Sequence, residues 1–220
     1  MTPVDRISYL PGLSAVALEA AATLLESLPA QQLVHNNWPE AFPYTPSVSF
    51  RMAHNGEELF IRYDVREEYT KAEVSCDNGP VWTDSCVEFF IAPDAEGYYN
   101  FEFNGIGTAL LGYRKSRNNG EHASETILKS IRRLPSLGTE PFAERQGKNR
   151  WSLVVSIPVT ALFKHTLPSF SGLKATVNVY KCGDELSRPH FLSWNPVVSP
   201  EPDFHLPRFF KKISFATDQG

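Results

Sequence analysis

Residues 47–65 read SVSFRMAHNGEELFIRYDV, and this stretch decides the fold class. In its second half Leu59, Ile61, Tyr63 and Val65 alternate with polar partners, and Arg62 and Asp64 fall on the opposite side. A two-residue period is that of a strand with one buried face. Ser47–Ala53 has the same character, and Asn55-Gly56 between the two is a strong hairpin signal. The spacing predicts an antiparallel pair, Ser47–Ala53 and Glu58–Val65.

Working outward, the same period recurs. Cys86–Ala92 places Val87, Phe89 and Ile91 on one face and Glu88 on the other. In Tyr98–Asn104, Tyr99, Phe101 and Phe103 point to the core, while Tyr98, Asn100, Glu102 and Asn104 face out. Thr108–Lys115 is a further strand. Ser116–Glu125 (SRNNGEHASE) is polar and predicts a loop tip. Ile127–Leu134 and Phe142–Arg145 are weaker strands. Asn149–Ile157 is a strong one, burying Trp151, Leu153, Val155 and Ile157. A short helical turn runs from Pro158 to Phe163. Leu173–Lys181 turns Ala175, Val177 and Val179 inward and Asn178 and Tyr180 outward. Phe209–Phe215 closes the chain. One helix is expected, Ala15–Ser27, with Ser14 as N-cap and Pro29 as its stop; it would cover a sheet edge. The fold expected is all-β: an antiparallel β-sandwich of about ten strands with one N-terminal helix. No linker divides the chain, so it reads as residues 1–30, an N-terminal helical cap, on residues 31–220, the sandwich.

Composition narrows the function. The chain has 220 residues, 42% of them hydrophobic, and a net charge of −4. This is an ordinary globular balance, and the negative total argues against a nucleic-acid partner. No apolar run reaches the roughly 20 residues that span a bilayer. No signal peptide is visible in Met1–Leu10, which leaves the compartment open. The three cysteines, Cys76, Cys86 and Cys182, make no CxxC, so free thiols are the first expectation. Asn104-Gly-Ile-Gly-Thr108 lacks the following helix of a phosphate loop. Haem ligation would need an axial Met or a His pair; the methionines are Met1 and Met52, and the histidines are scattered.

The chemistry concentrates in Val81–Pro93, VWTDSCVEFFIAP. Sugars are held by aromatic planes against their C–H faces and by carboxylates or amides on their hydroxyls. Trp82 and Glu88 offer one of each near the same end of one strand. The plainer reading packs Trp82 under a loop and pairs Glu88 with a surface cation. A third reading takes Glu88 and Glu102, outward on neighbouring strands, as the two carboxylates of a glycoside hydrolase.

This stretch resembles the family 9 carbohydrate-binding modules, a branch of the DOMON-like sandwiches. Their pattern W-x-D-S-x-V/C-E-x-F-I is met by Trp82, Asp84, Ser85, Val87 or Cys86, Glu88, Phe90 and Ile91. LFIRYDV (59–65), YYNFEFN (98–104), WSLVVSIP (151–158) and RFFKKISF (208–215) resemble its other strands in order, over about Gln32–Phe215. The resemblance implies non-catalytic binding of a mono- or disaccharide end between two aromatic walls, in association with polysaccharide breakdown and a glycoside hydrolase partner. It makes Trp82 one wall and Glu88 the carboxylate on the hydroxyls, with Glu102 and Asn104 as further partners. The second wall is either Phe204, where the family has Trp, or Trp194. Val154 and Phe210 stand where the family has Glu and Gly. No cofactor is expected beyond structural calcium, for which Asp64, Asp84 and Asp94 are candidates. A structural or protein-interaction sandwich remains the alternative.

Overall fold

A computed structural model describes residues 6–218. Met1–Asp5, the start of the expected cap, and residues 219–220 lie outside the described residues. Fourteen strands and two helices occur among the described residues. The first strands are β1 (Arg6–Tyr9), β2 (Gln31–Gln32), β3 (His35–Asn36), β4 (Ser47–His54) and β5 (Glu58–Ala72). β6 (Cys86–Ala92), β7 (Tyr98–Asn104), β8 (Ala109–Ser116), β9 (Asn119–His122) and β10 (Arg132–Pro135) follow. The last are β11 (Phe142–Pro158), β12 (Lys174–Cys182), β13 (Phe191–Ser193) and β14 (Lys211–Phe215); the helices are α1 (Leu18–Glu26) and α2 (Glu125–Ser130).

Hydrogen bonding runs along one open path, β10-β11-β5-β4-β1-β14-β12-β6-β7-β8-β9. The all-β expectation holds, but ten strands was too few and purely antiparallel was wrong. β1 lies parallel to both β4 and β14. A parallel pair needs a long crossover, and between β1 and β4 the chain makes one through α1. The path folds over itself at β1, so that β4, β5 and β11 face β6, β7 and β12. Phe50, Ile61, Tyr63, Leu153 and Val155 from one layer meet Val87, Phe89, Phe101, Phe103 and Val179 from the other. Apart from Phe50, these are the side chains that the period-two reading turned inward.

The helices differ from expectation for local reasons. Ala15 has φ +53°, a left-handed value that helix cannot continue through. Ser14 therefore ends a 3-10 turn, Pro11–Leu13, and α1 starts three residues later on Ala17 with no side-chain cap. Leu18, Ala21 and Leu25 pack on Ala53, Phe60 and Val154, so α1 covers an outer sheet face, not an edge. The expected strand Ile127–Leu134 is α2 followed by β10. Ser124 Oγ caps α2 by accepting from Ile127 N, and Glu125 pairs with Lys129 one turn on. Phe142–Arg145 and Asn149–Ile157 are one strand, β11, bulged at two places against β5. The final strand begins at Lys211 because Pro207–Phe209 forms a 3-10 turn.

Two departures shape the site. Ser116–Glu125 is not a bare loop: β8 and β9 pair, with Ser116 opposite Asn119, and Arg117 and Asn118 form the hairpin tip. The outward faces of β6 and β7 are not solvated either. Every residue of both strands is buried. Trp38, Phe191, Phe204 and Phe210 cover them, together with Phe90, Tyr98 and Tyr180.

Candidate functional site

Trp82 sits in a 3-10 turn, Val81–Thr83, that leads directly into β6. The neighbouring Asp84 fixes that turn. Its Oδ2 accepts from Glu73 N (3.0 Å), Val74 N (2.9 Å) and Asn104 Nδ2 (2.9 Å). Asn104 completes the clamp by donating to Val74 O (2.7 Å) and accepting from Thr108 N (2.9 Å). Trp82 is thereby held at the surface, 39% exposed, on a rigid base.

Below Trp82 opens a cavity of about 230 Å³. Trp82, Glu88, Glu102 and Phe204 line it, four of the six side chains that the sequence nominated. The other two lie elsewhere. Asn104 is spent on the Asp84 clamp. Trp194 packs against Phe50 beside the main core, with Lys211 Nζ 4.9 Å above its ring.

Glu88 and Glu102 are directly opposed across β6 and β7. Glu102 accepts from Asn100 Nδ2 (2.9 Å), whose Oδ1 accepts from Arg114 Nε (3.0 Å). A Cβ at Gly112 would stand 2.7 Å from that oxygen, so the chain needs glycine there. Glu88 Oε1 accepts from the Cys182 thiol at 3.0 Å. Burial, and then the facing Glu102, push Glu88 well above the usual carboxylate range. Burial raises Glu102 to about 7 and Asp184 to about 6. Glu88 and Glu102 hold protons readily, so each can both donate to and accept from a hydroxyl, while Asp184 is chiefly an acceptor at neutral pH.

Phe204 stacks face to face on Tyr180, with centroids 4.1 Å apart. Its stacking face is thus occupied from below. His205 shares a hydrogen bond with Tyr98 (2.9 Å). Burial, followed by Arg114 and Arg117, lowers it to about 3, so it is neutral.

Sequence reasoning missed Arg114, Arg117, Asn118, Asp184 and His205, all on the cavity wall. Arg114 left a signal: it is register partner to Tyr98 and therefore lies on the face of Asn100 and Glu102. The others come from a hairpin tip and two loops, where no period operates.

The calcium candidates are committed to protein partners. Asp64 bridges Arg51 and Arg62. Asp94 accepts from His165 and Glu96 N. Asp84 serves the clamp. Among the described residues, the one convergence of three or more His, Cys, Asp or Glu ligand atoms is Cys86, Glu88 and Cys182.

The sequence model described as carbohydrate-binding family 9 matches residues 19–215. A solved structure from Bacteroides uniformis, to which carbohydrate binding is ascribed, is 42% identical. It covers 96% of this chain and 97% of its own, with a TM-score of 0.92. Two structures of a family 9 module from Caldicellulosiruptor kristjanssonii share the fold. One, in complex with glucose, is 11% identical, covers 96% and 95% of the two chains and has a TM-score of 0.52. The other, with cellotriose, is 10% identical, covers 96% and 93% and has a TM-score of 0.56. No curated protein sequence matches the chain.

Proposed function

From its place in carbohydrate-binding family 9, to which this chain belongs, we propose that it binds a mono- or disaccharide end without altering it, in the cavity beneath Trp82. The observation that carries this is the pairing of a half-exposed indole, held on a rigid turn, with buried carboxyl groups in one pocket. The ring's C–H face lies on Trp82. Glu88, Glu102 and Asp184 meet the hydroxyls as donors and acceptors, and Arg114 donates from the wall. Phe204 contributes an apolar edge, because Tyr180 already occupies its face. The cavity is smaller than the roughly 300–1,000 Å³ of typical ligand pockets, which suits one or two sugar rings. The likeness to glucose- and cellotriose-bound modules supports β-glucose units as the first ligands to try. The role is that of an accessory to polysaccharide breakdown, beside a glycoside hydrolase.

Calorimetric titration with glucose, cellobiose, xylobiose and galactose tests this, with Trp82→Ala alongside. Heat with one sugar, weakened at least about tenfold in the variant (about 1.4 kcal/mol), supports the reading. Silence at millimolar sugar replaces it with a protein-interaction role. Reducing sugar released from an oligosaccharide replaces it with hydrolysis, because directly opposed cross-strand residues have Cβ atoms about 5 Å apart, close to retaining geometry.

A further inference from the structure

The floor of the cavity holds two buried thiols, beside Glu88, that sugar recognition does not require. Cys86 on β6 and Cys182 on β12 are directly opposed register partners. Glu88 lies two residues beyond Cys86 on the same strand face. The two sulfurs and a Glu88 carboxylate oxygen all lie within 4.8 Å of one another. All three residues are buried, and Cys182 and Glu88 line the cavity, so an ion has a way in. Glu102 and Asp184 add two more acidic groups to the same cavity. The cations near them are committed: Arg114 bonds Asn100 and the Arg117 carbonyl, and Lys181 is paired with Glu67 at 2.9 Å. The floor thus concentrates sulfur and carboxyl ligand atoms, with Arg114 and Arg117 standing on the wall.

We propose that Cys86, Cys182 and Glu88 bind one thiophilic divalent cation of the zinc type, with its fourth position open to the cavity. Tetrahedral zinc takes sulfur at about 2.3 Å and oxygen at about 2.0–2.2 Å, which sets ligand atoms roughly 3.5–3.8 Å apart. The cluster reaches that by drawing in by about an ångström. Thiolates select zinc-like ions over calcium, which wants six or more oxygens. Binding displaces the protons of the two thiols and of the Glu88 carboxyl to solvent, and nothing is oxidised or reduced. The cross-strand register also supplies what a lone cysteine lacks: two sulfurs held at fixed separation by backbone hydrogen bonds.

The test needs no sugar, so its outcome is separate from that of the sugar reading. The reduced, metal-free full chain is titrated with Co²⁺ and then with Zn²⁺. One equivalent of Co²⁺ should give a near-ultraviolet thiolate-to-cobalt band and tetrahedral d–d bands, displaced by Zn²⁺. Cys76→Ser should keep them, since Cys76 is exposed and outside the cluster. Cys86→Ser and Cys182→Ser should lose the band and bind over about 100-fold more weakly, more than the loss of a group that merely orients a ligand produces. Should either serine variant fail to fold, Glu88→Gln keeps both thiols and so keeps the charge-transfer band, but loses an anionic ligand and should bind at least about tenfold more weakly. No charge-transfer band in the parent chain, or one that survives in Cys182→Ser or vanishes only in Cys76→Ser, would overturn the assignment.

Discussion

The two faces of β6 and β7, with the inner half of β12 beside them, are equally buried and chemically unlike. One face carries Val87, Phe89, Ile91, Tyr99, Phe101, Phe103, Val177 and Val179 against the opposing layer. The other carries Glu88, Asn100, Glu102, Asn104 and Asn178 among Phe90, Tyr98 and Tyr180. The apolar face needs only volume and close packing. The mixed face must find a partner for every polar atom. Most are met by the Asp84–Asn104 clamp, the Arg114–Asn100–Glu102 chain and the Cys182–Glu88 bond, while Asp84 Oδ1 has only Lys71 Nζ at 3.9 Å, and the cavity opens under Trp82. The difference teaches that period two separates apolar from polar, not buried from exposed. Where a second layer covers the polar side, that side becomes a site.

The comparison can be broken on the apolar face first. Phe101→Ala leaves a large void between the layers and should cost about 3–5 kcal/mol, read as a lower urea midpoint at unchanged slope. On the mixed face, Asp84→Ala strands three donors and should cost about 3 kcal/mol. In a double-mutant cycle with Asn104→Ala, coupling of at least about 1 kcal/mol is expected; simple additivity would mean that the clamp is not one unit.

The seam between the layers gives a pH test. His54 is fully buried between the rings of Tyr9 and Phe215. Desolvation lowers it to about 4. A depressed base is stabilising while neutral, so its contribution is whole above about 6.5 and is lost as pH falls toward 4. His54→Leu should flatten the loss of stability over that window by on the order of 2 kcal/mol, as followed by thermal melts. His190 and His205, also lowered by burial, add to that loss, whereas Glu88, Glu102 and Asp184, raised by burial, oppose it.

The smallest effect on stability belongs to Trp82. Trp82→Ala should change the unfolding free energy by less than about 0.5 kcal/mol, read from urea melts, while removing the sugar platform. A large destabilisation would make Trp82 a packing residue and sink the division of labour between the faces.

The sequence alone determined the strands of the inner core, because burial on one face forces strict alternation: Cys86–Ala92 and Tyr98–Asn104 are found with the boundaries that the alternation predicts. It also marked Trp82, Glu88 and Glu102, since an aromatic before a strand and carboxylates on its polar side are local features; Phe204 entered only through the family resemblance, as an alternative to Trp194. Only the tertiary structure decided the rest. The parallel seam at β1 joins strands far apart in the chain, and no local pattern specifies it. Asn104 and Glu102 are adjacent outward positions on β7, yet one locks a turn and the other lines a cavity. What separates them is which neighbour arrives, Asp84 or Arg114. The covering aromatics and the Arg117–Asn118 tip likewise come from segments without period. Their contribution is set by where long-range strand pairing delivers them.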